Sequence, residues 1–358
     1  MGYSQYPKVI RQKMRKRERR RSKVIIVAVL CAVLFITACG CAAFIVMRSK
    51  GKSSLSLEAP EEITGVMQSE KIKPVVKNSG KIINYDGKEY AFNEDTVAFL
   101  FMGLDKEIAE NSNGPAGTAG QTDVLIVAVW DTAKNKIQFL VIPRDTLADI
   151  NVFYTDGNYK SIMNAQICLA FAYGSGGKDS CENVLSSVSR LLMGVKIKQY
   201  FCLDLDGVPA LNDLVGGVTL TPVETFGNFV KGKQVTLLGQ DAENYIRLRD
   251  FEKIDADNSR RLRQKQYLEA FAGVLTEKIK INFGFSRTFY NEASKYSVTN
   301  ISPNEAAFLA SEYMTKRPSA DSFITVPGKY QKGETSPEYI PDNAGLFRIV
   351  LDLFYTEV

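Results

Sequence analysis

Apolar and polar positions fall in blocks along the chain, and the clearest block runs from Gln121 to Asp149. Two apolar runs rich in β-branched residues, Val124–Trp130 and Ile137–Ile142, flank the polar turn Asp131–Lys136, a pattern that predicts strand, turn, strand. So short a connection requires antiparallel pairing, because a parallel crossover needs about a dozen or more residues. Both runs are almost continuously apolar, so both faces of the sheet should be covered. Asp123 precedes the first run, and Arg144 and Asp145 follow the second. Antiparallel pairing brings these points to one end of the sheet.

The same reading places a type I′ hairpin at Asp86-Gly87 within Ile82–Phe92 and a strand at Val97–Met102 that ends at Gly103-Leu104-Asp105. Glu107–Gly120 reads as a surface loop. Asn164–Tyr173 and Cys181–Met193 read as helices, with Ser180 capping the second and Gly194 just past its end. Gly174–Asp179 lacks the spacing of a phosphate loop and reads as the turn between them. Further strands are expected at Tyr200–Leu205, Val218–Thr221 and Ser322–Val326. Helices are expected at Val208–Leu214, Gly239–Leu248, Asn258–Ile279, Pro303–Met314 and Asn343–Phe354. Strands and helices alternate without a strict βαβ rhythm, which points to an α/β layered domain with a central mixed sheet.

Val24–Met47 carries no charge and is long enough to cross a bilayer. A strongly basic run, Lys8–Lys23, precedes it. The positive-inside rule therefore assigns 1–23 to a cytoplasmic tail, 24–47 to a single-pass signal anchor in the cell membrane, and the rest to the outside. A cleaved signal peptide is the alternative, but the apolar run continues past the lipobox-like Ile36–Cys39. Beside a span, the basic run serves topology and attraction to anionic lipid rather than nucleic acid. Residues 48–80 read as an extracellular linker and 81–358 as the folded domain.

Composition changes the picture at two points. The net charge of +5 over 358 residues sits in the basic tail, so the domain is near neutral. There is no histidine, which removes histidine triads and histidine-ligated zinc. Of the six cysteines, Cys168, Cys181 and Cys202 fall in the domain. A Cys168–Cys181 disulfide and three buried thiols are both compatible with the pattern.

Two arginine clusters carry the candidate chemistry. Arg247 and Arg249 are two apart, so a regular helix could not aim both at one site; the helix should end between them, or the chain should extend there. Arg260, Arg263 and Gln264 share a helix face that continues into the apolar positions Tyr267, Leu268, Phe271 and Leu275. Guanidiniums converging on a cleft suit phosphate oxygens. Asp105 and Asp123, at strand ends, could hold a divalent cation. An internal ion-pair network with Asp145, Asp250, Asp255 and Asp257 is the competing reading.

Taken together, Gly103-Leu104-Asp105, Gln121-Thr122-Asp123, Ile142–Thr146, Ala172–Gly174, Leu214–Val218, Tyr245–Asp250 and Ser259–Gln264 resemble, in order, the motifs of the LytR-CpsA-Psr family. The resemblance spans about residues 95–280. It implies an α/β/α fold with an apolar groove for a polyprenyl chain. The implied activity is phosphotransfer of a glycopolymer, such as teichoic acid or capsule, from an undecaprenyl-pyrophosphate carrier to peptidoglycan. It also implies that Arg144, Arg247, Arg249, Arg260 and Arg263 grip the pyrophosphate with Gln264 adjacent, and that Asp105 and Asp123 hold Mg²⁺, or Mn²⁺ in its place. Catalysis would fall to Asp105, Asp123, Arg144 and Arg247. Such transfer depends on positioning and charge, which needs no histidine. The family commonly has arginine where this chain has Gln121. A non-catalytic membrane-anchored binder of polyprenyl phosphates, or a regulator of envelope assembly, is the alternative, and hydrolysis of the pyrophosphate would use the same site.

Overall fold

The computed structural model describes residues 45–61, 74–104, 120–154, 156–248, 256–315, 320–334 and 336–358. A helix over 45–55 (α1) comes first. A small antiparallel meander follows, β1 (Val75–Lys77), β2 (Ile82–Tyr85) and β3 (Lys88–Phe92). Then come β4 (Thr96–Leu104), β5 (Thr122–Asp131), β6 (Lys136–Val141), and a hairpin of β7 (Leu147–Phe153) and β8 (Tyr159–Gln166). Next are α2 (Leu169–Ala172), α3 (Gly177–Leu191), β9 (Gln199–Asp204), α4 (Val208–Leu214), and the pair β10 (Val218–Leu220) and β11 (Val235–Leu237). The helices α5 (Gln240–Arg247), α6 (Ala256–Ile281) and α7 (Gly284–Ala293) lead to β12 (Ser297–Thr299), α8 (Pro303–Thr315) and β13 (Phe323–Thr325). The chain closes with a hairpin of β14 (Gly328–Lys332) and β15 (Pro337–Pro341), then α9 (Asn343–Phe354) and β16 (Tyr355–Glu357), which completes the meander beside β3.

The central sheet has six strands in the order β12-β9-β4-β5-β6-β13. It is mixed, as expected: β9 runs parallel to β4 and β13 parallel to β6, while β5 is antiparallel to both its neighbours. The predicted hairpin is present, with Asp131 opposite Lys136 at the turn. Helices cover both faces, giving three layers. On one face Leu100, Met102, Leu125, Val127 and Leu140 pack with Val184 and Val188 of α3 and Phe347 and Val350 of α9. These sheet residues are at most 1% exposed.

The opposite face is built differently. Pairing puts Phe101 opposite Phe201 and Ile126, and Phe99 opposite Ala128, which in turn faces Phe139 and then Phe323. Paired residues share a face. All five of these phenylalanines are half-buried, although α1, α6 and α8 lie on that side.

Several expectations change. Asn164–Tyr173 is only partly helical: β8 takes Asn164–Gln166, because it pairs with β7 through Leu147–Gln166, and the helix is confined to α2. That long-range pairing overrides the local helical pattern. α3 starts at Gly177 rather than after Ser180, and the Ser180 hydroxyl instead accepts from the Gly176 amide at 2.9 Å. The strand β7 and the helix α7 were not foreseen. Asp86 and Gly87 both have positive φ, 53° and 75°, as a type I′ turn requires. Cys168, Cys181 and Cys202 are free buried thiols, so the Cys168–Cys181 bridge is not formed.

The predicted span and the Glu107–Gly120 loop lie almost wholly outside the described residues. No helix among the described residues is long and apolar enough to cross a membrane. Within the expected linker 48–80, residues 51–60 pack against the domain. Leu55 is fully buried, Ser54 Oγ donates to Glu305 Oε1 at 2.6 Å, and Arg48 pairs with Glu312. Gly51 is needed at the crossing with α8, because a Cβ there would lie 2.4 Å from the Asn304 carbonyl oxygen.

Candidate active site

The site forms at the end of the sheet where β4 and β9 finish and β5 begins. The register of β4 and β5 shifts there: Gly103 pairs with Val124, but Leu104 pairs with Thr122. Asp123 is the extra residue of this bulge. A bulge bends the strand and re-aims one side chain, and such irregularities concentrate beside active sites.

The bulged carboxylate is clamped by two guanidiniums. Arg144 Nη1 pairs with Asp123 Oδ1, and Arg260 Nη1 donates to Asp123 Oδ2 at 3.0 Å. All three side chains are largely out of solvent, with 6% of Asp123, 16% of Arg144 and 4% of Arg260 exposed. Burying an ion pair costs several kcal/mol of desolvation per ion, so this cluster is a weak stability device and a strong candidate for function. Arg144 sits just past β6, where its carbonyl accepts from the Cys168 amide at 3.1 Å. Its side chain also donates to Gln121 Oε1, lies 3.5 Å from Asp145 Oδ1, and approaches Cys168 Sγ at 3.6 Å. Gln121 therefore presents an acceptor to Arg144 where the family pattern would place a second cation. Burial pushes the Cys168 thiol up from its ordinary range, opposed by the Arg144 charge.

Arg247 lies at the end of α5, near the end of β9. Its Nη1 donates to Glu243 Oε1 at 2.6 Å and to Asp206 Oδ1 at 3.1 Å. The expected break after it is present, since α5 stops at Arg247 and Leu248 is extended, with ψ 143°. Glu243, four residues before Arg247, could have been read as its helical partner.

Arg263 and Gln264 are differently placed. Arg263 is 1% exposed. It donates to Glu224 Oε1 at 3.0 Å, to the Tyr245 carbonyl at 2.5 Å and to the Leu248 carbonyl at 2.6 Å, and stacks 3.9 Å from the Phe226 ring centre. Gln264 Nε2 donates to the Ile246 carbonyl at 3.1 Å. Glu224 carried no sequence signal. Asp105 and Arg249 lie outside the described residues.

Asp123 supplies the hard oxygen donor that Mg²⁺ or Mn²⁺ takes. Among the described residues there is no cluster of three or more acidic or thiol side chains that could hold a metal ion, and Asp123 would be one donor of such a set.

The three-layered α/β/α domain thus holds a carboxylate between two guanidiniums at a bulged sheet end. The LytR_cpsA_psr family profile matches residues 61–349, and the chain belongs to this family. It is 28% identical over 181 residues to the polyisoprenyl-teichoic acid–peptidoglycan teichoic acid transferase TagU of Oceanobacillus iheyensis, covering 49% of this chain and 51% of that protein. With TagV of Bacillus subtilis it shares 28% over 183 residues, covering 48% of this chain and 42% of that protein. The chain spans about half the length of the curated relatives it matches. The crystal structure of B. subtilis TagV superposes with a TM-score of 0.55 at 23% identity, over 72% of this chain and 96% of that one. A structure of TagT bound to LI-WTA superposes at 0.51 and 17% identity, over 73% and 90%. These likenesses establish the fold.

Proposed function

We propose that the protein is a membrane-anchored phosphotransferase, acting outside the cell, that moves a glycopolymer from an undecaprenyl-pyrophosphate carrier to peptidoglycan. The observation that carries this reading is the Arg144–Asp123–Arg260 clamp at one end of a sheet whose phenylalanine face is only half-buried. An isoprenoid tail suits those rings, and a diphosphate suits the guanidiniums. The names of TagU and TagV support the reaction class, and the TagT complex supports a lipid-linked wall polymer as donor.

In this reading Arg144 and Arg260 turn from Asp123 to the diphosphate oxygens, with Arg247 reaching in from α5. Asp123 and Asp105 would hold Mg²⁺, or Mn²⁺. When bound, the cation supplies charge neutralisation on the diphosphate. An acceptor hydroxyl of peptidoglycan forms a bond to the sugar-side phosphorus. The bond from that phosphorus to the bridging oxygen breaks, and the carrier leaves as its monophosphate. The hydroxyl proton passes to a carboxylate of the site, Asp105 or Asp123. Guanidiniums fixed in a dry site stabilise the charge that spreads over the transferring group, which is the main catalytic contribution such chemistry needs.

The test is transfer from a lipid-diphosphate-linked glycan to peptidoglycan oligomers with added Mg²⁺. The wild type should release carrier monophosphate in step with polymer attachment, and chelation should stop both. Binding of the donor without turnover would favour the non-catalytic alternative, and release of both phosphates to water would favour hydrolysis.

A further inference from the structure

The clamp accounts for Arg144 and Arg260 but not for Arg263, the most buried cation among the described residues. Arg263 spends its hydrogen bonds on protein acceptors, and two of these are carbonyls at the end of α5. In a continued helix, the Tyr245 and Ile246 carbonyls would accept from the amides four residues on. Here Arg263 and Gln264 provide those donors from α6. A cation at a helix C-terminus is also favoured by the helix dipole. The Arg263 fork is aimed by a second set of contacts from the β10–β11 connection: Glu224 takes its Nε, the Ser259 hydroxyl braces the same carboxylate oxygen, and Phe226 stacks beneath it.

The consequence falls on Arg247. If α5 ran on, residues two apart would be about 200° apart round its axis. With α5 stopped, Leu248 is extended and the chain leaves the helix directly after Arg247. We propose that Glu224 and Arg263 form a positioning pair that ends α5 at Arg247 and so fixes where the Arg247 guanidinium stands. Arg263 then acts on the anion through α5 rather than by touching it. The anion in this statement rests on the proposed diphosphate reading; the control of the helix end does not.

Glu224→Gln separates the two roles. A gripping Arg263, released from its carboxylate, would hold an anion as well or better. A positioning Arg263 would lose its aim. Two measurements are made on the wild type and on Glu224→Gln, with Arg263→Lys as a second variant that keeps the charge but not the planar fork. The first is calorimetric binding of inorganic pyrophosphate and of geranylgeranyl diphosphate. The second is amide hydrogen exchange over residues 240–248. Both variants should bind each probe about tenfold more weakly, the scale of one charge-assisted hydrogen bond. Both should exchange faster at 245–248 with the central sheet unchanged. Unchanged or tighter binding together with unchanged exchange at 245–248 would overturn the pair's role. If even the wild type bound neither probe, the diphosphate reading would fail, and the exchange data would still decide whether the pair ends α5.

Discussion

Arg260, near the start of α6, donates to Asp123 on the bulge of β5 at 3.0 Å across 137 residues of sequence. Arg144 reaches the other oxygen of the same carboxylate from the end of β6. One buried acid thus ties the long helix to two strands, and each member is exposed to the loss of another.

Arg144→Ala and Arg260→Ala should each lower transfer by about 10²- to 10³-fold, the range for removing one preorganised charge donor. Removing either also leaves Asp123 short of a counter-charge, which costs about 3–5 kcal/mol when a buried pair is broken. Asp123→Asn in the same background should recover part of that stability without recovering activity. Chemical denaturation and single-turnover transfer, run on all four variants, check both halves. Undiminished transfer by Arg144→Ala would contradict the proposed function.

Gln121→Arg should make the free protein less stable and its ligand response larger. The new guanidinium would face Arg144, which now donates to the Gln121 side-chain oxygen Oε1. An anion placed between them would relieve the repulsion. Thermal unfolding with and without pyrophosphate checks this: a lower midpoint alone and a greater upward shift with ligand are expected, and an equal shift in both proteins would be evidence against it.

The buried thiols give a pH prediction. Burial raises Cys168, and the Cys181 contact and burial raise Cys202, so both resist ionisation in the fold. Unfolded thiols lose their protons from about pH 8.5. Above that point the unfolded chain binds fewer protons than the folded one, so stability present at neutral pH should fall as pH rises. Cys202→Ala should flatten part of that fall. Denaturant midpoints between neutral pH and the alkaline range test it, and iodoacetamide at pH 8 should leave both thiols unlabelled in the folded protein.

Gly51→Val should destabilise by about 1–3 kcal/mol, the usual cost of overpacking, because its side chain would be driven into the Asn304 backbone of α8. Arg48→Ala should be milder, since that guanidinium is half exposed and water screens the pair it makes. Melting of a soluble form beginning at residue 45 provides the comparison. An unchanged midpoint for Gly51→Val would mean that α1 is not held as described.

Much of this architecture is written locally. The β5–β6 hairpin follows from two β-branched runs and a polar turn, because strand pairing across so short a loop has one geometry. The break after Arg247 was legible because a regular helix cannot aim residues two apart at one place. The helix α4 was read to its last residue, since its apolar period and the following glycines agree. Local agreement fails where distant chain decides. Asn164–Gln166 reads as the start of a helix but is the end of a strand, because β7 offers it a ladder.

The sequence by itself determined the layered α/β class, the order of the arginine and aspartate motifs, and the absence of histidine chemistry. Only the tertiary structure decided which of those charges meet. The bulge at Asp123 depends on the register with β4, which no local pattern encodes. The division of labour between Arg260 and Arg263, one facing Asp123 and the other facing Glu224 and the end of α5, depends on what packs beside each turn of α6. Helical spacing puts both on one face. A guanidinium's role is set by the nearest acceptors, and those come from segments far away in sequence.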